Sequence, residues 1–226
     1  MFKRYAIYYT PTQGTPLAEF GANWLGWDSA TGTSRAHPDM GELDVAQITE
    51  TPRKYGFHGT IKPPFRLAEG MTAQALAAAV AALCADAAPE TLEGLELARL
   101  GRFLALVPSG NADALGALAA RAVQELDAFR AAPNDAELAK RRAARLNAAQ
   151  EAHLMRWGYP YVLDQFRFHL TLSGPLEEQV ATRAQTALAT PLATLNLAPY
   201  PISGLTLLGE DDAGKFHQIH RYTLTG

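Results

Sequence analysis

The chain has 226 residues, 48% of them hydrophobic and 19% charged, with a net charge of −3 and a pI near 6.1. This is globular rather than disordered composition, and it supplies no overall basic field for holding long nucleic acid through its phosphates, although a small or short phosphate ligand remains open. A single cysteine, Cys84, excludes an internal disulfide and a Cys-based metal cluster. No apolar run approaches the ~20 residues of a membrane span and residues 1–10 are too short for a leader, so the expectation is a soluble cytoplasmic protein without a membrane partner.

Residues 4–9 are rich in β-formers and stop at Thr10-Pro11, which predicts a first strand. Residues 11–52, full of Gly, Pro, Ser, Asp and Thr around Trp24 and Trp27, read as a long ordered loop with some local structure. A strand follows over 55–62, closed by Pro63-Pro64. Leu76, Val80, Leu83, Cys84 and Ala87 recur at helical spacing and predict a helix over 72–88, with Cys84 in the core. Two apolar runs about Gly101-Arg102 predict a hairpin over 92–107, and Leu115, Leu118, Ala122, Leu126 and Phe129 mark another helix. A third helix starts at Asn134, capped with Glu137, and runs to Trp157 before Gly158. Its basic stretch, Lys140-Arg141-Arg142 and Arg145, reads as a solvated face.

From 161 the order repeats: a strand over 166–173, a helix carrying Leu176, Val180, Ala184 and Leu188, then apolar runs at 195–208 and 216–224 about an Asp211-Asp212 turn. Strand, helix, strand, strand thus occurs twice, a faint internal repeat. The predicted architecture is α+β: one bilobal domain over 1–226, built from duplicated β-α-β-β units related by a pseudo-two-fold. Its antiparallel sheets face a central groove and its helices lie outside.

The repeated strands also match in polar residues. Phe57-His58-Gly59-Thr60-Ile61 and Phe168-His169-Leu170-Thr171-Leu172 share the pattern apolar-His-any-Thr-apolar. Side chains on a strand alternate faces, so each strand presents an imidazole and a hydroxyl together while its apolar residues point into the opposite face. Two imidazoles across a groove suit displacement at phosphorus, one neutral and taking a proton from water, the other charged and giving one to the leaving oxygen. Thr60 and Thr171 can donate to the non-bridging oxygens, and no metal or other cofactor is needed. A single His-x-Thr is a chance event in many proteins; the pair, in matching strands, is not so readily dismissed.

The two motifs resemble the paired His-x-Thr/Ser signature of the two-histidine phosphoesterase superfamily, which includes bacterial 2′-5′ RNA ligase-like proteins and cyclic phosphodiesterases. Residues 53–67 and 166–174, with the opening Arg4-Tyr5-Ala6-Ile7-Tyr8-Tyr9, are more closely similar to a branch associated with phosphonate metabolism. The resemblance spans essentially the whole chain and implies a bilobal, pseudo-symmetric fold and attack on a cyclic phosphate or 2′-5′-type linkage.

By parity Lys62 shares a face with His58 and Thr60, and Arg167 with His169, so both are candidates to bind phosphate, against the competing reading of cations snorkelling to solvent. Tyr5, Tyr8 and Tyr55 are weaker candidates for contact with a sugar or base, and for at least one of the strand tyrosines core packing is the stronger reading. His217 and His220, three apart, fall on opposite faces unless the strand is bulged; with His153 distant and His37 in the loop, no metal-ligand spacing emerges. No Gly-rich phosphate loop is present. The leading expectation is a cyclic phosphodiesterase acting on a small phosphorylated sugar or nucleotide. Its rivals are an enzyme processing RNA 2′,3′-cyclic ends or 2′-5′ linkages, a non-catalytic nucleotide-binding module, and a metal hydrolase using His153, His217 or His220.

Overall fold

The computed structural model describes residues 2–226. Strand β1 (Tyr5–Tyr9) leads into α1 (Pro16–Leu25), the short pair β2 (Trp27–Asp28) and β3 (Thr33–Ser34), and the single-turn helices α2 (Val45–Ile48) and α3 (Glu50–Arg53). The first repeat follows as β4 (Gly59–Phe65), α4 (Ala73–Ala85), β5 (Glu90–Leu92), β6 (Gly94–Leu100) and β7 (Phe103–Ser109). Helices α5 (Asp113–Glu125), α6 (Asp135–Arg142) and α7 (Ala148–Trp157) link it to the second: β8 (Leu170–Thr171), α8 (Glu178–Ala193), β9 (Tyr200–Ile202), β10 (Gly204–Glu210) and β11 (Phe216–Thr223). The α+β architecture and the duplicated order are those expected, with β5 and β9, a matching pair, hydrogen-bonded to each other.

Seven strands form one antiparallel sheet in the order β11-β10-β1-β4-β8-β7-β6. The two halves of this sheet meet where Gly59 of β4 faces Leu170 of β8. Each His-x-Thr strand stands in the other repeat's half: β8 pairs with β7 of the first copy, and β4 reaches the β10–β11 hairpin of the second through β1. The helices follow suit, α4 packing on β10 and β11, and α8 on β7.

One face of the sheet carries the main core. Tyr5, Ile7 and Tyr9 join it together with the apolar stripes of α4 (Leu76, Val80, Leu83), α5 (Leu115, Leu118, Ala122) and α8 (Ala181, Ala184, Leu188). Ala6 and Tyr8, on alternate positions of β1, join Leu208 and Phe216 on the other face. Burying one face under helices leaves the other free to hold a site.

Four boundaries depart from the sequence reading. The expected 11–52 loop contains α1, whose signals were local: Thr15 caps it by accepting from Ala18 N–H, Pro16 opens it, and Gly26 ends it at φ +73°. The expected 134–157 helix is two helices. The Asn134/Glu137 capping box is present, but the chain turns at Arg145 (φ +54°) and Asn147 with Gln150 makes a second capping box. Strand β4 begins at Gly59 and runs through Pro63-Pro64 to Phe65, because beyond Thr60 only β1 pairs with it and the β1–β4 register is irregular across the two prolines, so one missing N–H falls on the free side and the other in the irregularity. In the expected 166–173 strand only Leu170–Thr171 pairs regularly; the ladder ends where both Leu172 and Ser173 N–H donate to Leu104 O.

Candidate functional site

The register that joins the two halves also assembles the motifs. With Gly59 opposite Leu170, continuing by one residue each way sets His58 across from Thr171 and Thr60 across from His169, all on the face away from the core. Cross-strand neighbours of this kind have Cβ atoms ~5 Å apart. The four polar side chains form one square, with the two histidines on its diagonal. Gly59 is required on the opposite face, because a Cβ there would run into the Phe168 ring.

Both imidazoles are fixed by the same device. His58 Nδ1 donates to Gly56 O at 2.8 Å, and His169 Nδ1 donates to Arg167 O at 2.8 Å, the carbonyl two residues upstream in each case. In a neutral ring this places the lone pair on Nε2. Gly56 holds φ +72°, a conformation that suits glycine and delivers its carbonyl to His58. His58 Nε2 lies 3.2 Å from Thr60 Oγ1, within reach of its hydroxyl proton.

His58, Thr60 and Thr171 line a cavity of about 300 Å³, together with Tyr8, Tyr55, Phe103, Arg4, Arg141, Tyr159 and Ser173. The Tyr8 ring stacks on His58 with centroids 3.7 Å apart and planes 19° off parallel. Burial, first, and the charge of nearby His169 hold the His58 imidazole down at about 4, while the Gly56 carbonyl opposes the shift. His58 is therefore neutral at neutral pH. His169 does not itself line this cavity; its ring lies 5.7 Å from that of Phe103, which does.

The remaining candidates divide. Tyr8 and Tyr55 line the cavity. Tyr5 does not: it is on the core face of β1, in contact with Phe2. Lys62 is also turned away. The β1–β4 register shifts between Thr60 and Lys62, so that Lys62 pairs with Ile7 on the core side and, 2% exposed, donates from Nζ to Val123 O at 3.0 Å in the last turn of α5. The parity argument failed at that bulge. Arg167 contributes its carbonyl to His169, and the residue lines a separate cavity beside α5 with Phe166 and Phe168 rather than the His58 cavity. Sequence reasoning missed Arg4, Tyr159 and Ser173, which only tertiary structure brings here. It also misread Arg141: Arg142 pairs with Glu151 outside, while the Arg141 guanidinium lies 4.5 Å from the centroid of Tyr159.

The other histidines are engaged elsewhere: His153 with Asp164 (2.5 Å), His217 with Asp211 (2.8 Å), His37 with Trp24 O (3.0 Å), and His220 against the Tyr222 ring. Strand β11 is bulged, and His217 and His220 come opposite Gly209 and Leu207, yet neither lines the cavity. Among the described residues no three His, Cys, Asp or Glu side chains are grouped to hold a metal ion, and no helix is long and apolar enough to cross a membrane.

The family model described as "Protein of unknown function (DUF1045)" matches residues 60–217. The chain belongs to the DUF1045 family. The DUF1045 match takes in Thr60, His169 and Thr171 and begins two residues after His58. Curated relatives include two proteins named ribose 1,5-bisphosphate phosphokinase PhnN. That of Janthinobacterium sp. (strain Marseille) is 38% identical over 218 residues, 93% of this chain and 48% of the relative. That of Laribacter hongkongensis (strain HLHK9) is 35% identical over 221 residues, 96% and 51%. The chain spans about half the length of these relatives. Among solved structures it is similar to TT0787 of Thermus thermophilus (14% identity, TM-score 0.44, 99% and 98% of the two chains) and to E. coli LigT complexed with 3′-AMP (17%, 0.44, 100% of each).

Proposed function

We propose that this protein is a metal-independent phosphoesterase that hydrolyses a cyclic phosphodiester of a small phosphorylated sugar or nucleotide. The observation that carries this reading is the cross-strand square of His58, Thr171, Thr60 and His169, with both rings tied through Nδ1 and both hydroxyls on the same face. His58, neutral, takes a proton from water as its oxygen attacks phosphorus. The ring P–O bond opposite breaks, and His169, charged, protonates the departing oxygen to leave a phosphomonoester and a free hydroxyl. Thr60 and Thr171 donate to the non-bridging oxygens as charge develops there. Burial under Tyr8, which keeps His58 neutral, supports His58 rather than His169 as the base. The names of the curated relatives support a phosphorylated ribose as the sugar, and the resemblance to a phosphonate-associated branch points the same way.

The test is a panel of cyclic phosphates, sugar and nucleotide, with an RNA ending in a 2′,3′-cyclic phosphate alongside, followed by ³¹P NMR in the presence of chelator. Conversion of a small cyclic diester to monoester is expected, with His58→Ala and His169→Ala each losing ~10²–10⁴-fold. Equal turnover by the wild type and both variants would remove the square from the chemistry, and a strong preference for the RNA end would replace the substrate.

A further inference from the structure

A second cavity, of about 530 Å³, adjoins the His58 cavity, and Arg4, Thr51, Tyr55, Pro64 and Arg141 belong to the walls of both. Its lining carries six cationic side chains and one carboxylate, Glu137. Three of the cations are neutralised: Arg4 by Glu210, Arg66 by Glu137 and Arg130 by Asp127. The other three, Lys54, Lys140 and Arg141, have no carboxylate partner among the described residues, in a chain whose net charge is −3. Both Lys54, which is exposed, and the half-buried Arg141 lie over aromatic rings, Lys54 Nζ 5.1 Å from the Tyr55 ring centroid and the Arg141 guanidinium 4.5 Å from that of Tyr159. The Tyr55 ring, a wall of both cavities, lies 5.3 Å from the Phe216 ring and 6.0 Å from the His58 ring between centroids.

Unpaired cations gathered round a cavity ask for an anion, and the site beside it is already reserved for one phosphate. We infer that the substrate carries a second, terminal phosphomonoester, seated between Lys54, Lys140 and Arg141, while its cyclic phosphate lies at His58 and His169. The sugar then spans the gap beside Tyr55, and the enzyme selects a cyclic phosphate that is itself a sugar or nucleoside phosphate. This rests on the reading of the His58 site given above and adds the substrate's second charge. A phosphomonoester suits the Arg141 fork and two lysine ammonium groups better than a carboxylate, having three acceptor oxygens and close to two negative charges at neutral pH.

Two measurements test the subsite. The first compares kcat/KM for adenosine 2′,3′-cyclic phosphate with and without a 5′-phosphate. Charge-assisted hydrogen bonds of this kind are expected to favour the 5′-phosphorylated substrate on the order of 10–100-fold in the wild type, and the ratio should fall toward one in Lys54→Gln/Arg141→Gln. The single variant Lys140→Gln, at an exposed side chain, should lower the ratio in part. The second is calorimetric titration with ribose 5-phosphate, which needs no turnover: it should bind the wild type and His58→Ala alike and the double variant at least tenfold more weakly. An unchanged ratio in the double variant, or ribose 5-phosphate binding lost in His58→Ala and kept in the double variant, overturns the subsite. If no cyclic phosphate is turned over, the reading of the His58 site falls while the titration still decides whether the basic cavity takes a phosphomonoester.

Discussion

The proposed division of labour between the histidines rests on the Tyr8 ring, which can be removed. A free imidazole titrates at ~6.5, and burial holds His58 at about 4. The difference corresponds to ~3 kcal/mol favouring the neutral ring over the charged one. Tyr8 covers one face of that ring at 3.7 Å. Tyr8→Ala admits water to this face and is expected to raise the His58 value by roughly one pH unit, whereas Tyr8→Phe keeps the ring and the wild-type value. Two assays report it: the His58 Hε1 resonance as a function of pH, and the acid limb of kcat/KM, which reads the free enzyme's base. Lowering pH protonates the base, so wild-type kcat/KM should hold to well below pH 6 and fall only near 4. A bound phosphate anion favours the charged ring, so the acid limb of kcat should lie above that of kcat/KM. Wild-type titration of His58 near 6.5, or identical limbs in Tyr8→Ala and Tyr8→Phe, refutes the argument that desolvation under Tyr8 selects the base.

Gly59→Ala should destabilise the fold by ~1–3 kcal/mol in urea melts, because the new methyl must displace the Phe168 ring at the single register pair that joins the two halves of the sheet; no loss would mean that the ring moves freely. Lys62 is held at about 8 by burial, below its unfolded value, so between about pH 8 and 10.5 the unfolded chain binds the extra proton and stability rises with pH. Relative to Lys62→Met, the wild type should gain up to ~3 kcal/mol across that window; a difference independent of pH would place the ammonium in water.

What was legible in the sequence depended on period and pairing. The helices α4, α5 and α8 were visible because their apolar stripes face one sheet, and the His-x-Thr motifs because alternation holds over three residues of any strand. Parity failed as soon as it had to cross a bulge: Lys62 is four residues from His58, and a register shift against β1, dependent on a strand fifty residues away, turned it to the core. That one strand tyrosine would be core was legible, but not that it would be Tyr5 rather than Tyr8, since both faces of β1 bury aromatic rings. Arg141 was hidden because a basic helix face in water and one guanidinium stacked on Tyr159 have the same local sequence. The caps at Thr15 and Gly26 were readable, but the Gly- and Pro-rich composition around them obscured α1.

The repeat has a structural consequence that composition does not suggest, and it is testable. Had each copy kept its own strand, each half would close on itself with one His-x-Thr. Instead β8 sits on β7, β4 sits with β1 on the β10–β11 hairpin, and α4 covers the second copy's strands as α8 covers β7. Each copy therefore buries the apolar stripe of its repeat helix against strands of the other. A chain cut between Ala144 and Arg145, both exposed between α6 and α7, is expected to give two fragments that are each unfolded alone. Mixed, they should recover the circular dichroism of the intact chain, with an association strength set by the many core side chains that cross the division. Activity on any substrate of the intact protein should return in step with that signal, since His58 and His169 lie on different fragments. A single fragment that folds cooperatively by itself would show that the exchanged strands are an embellishment on two independent lobes.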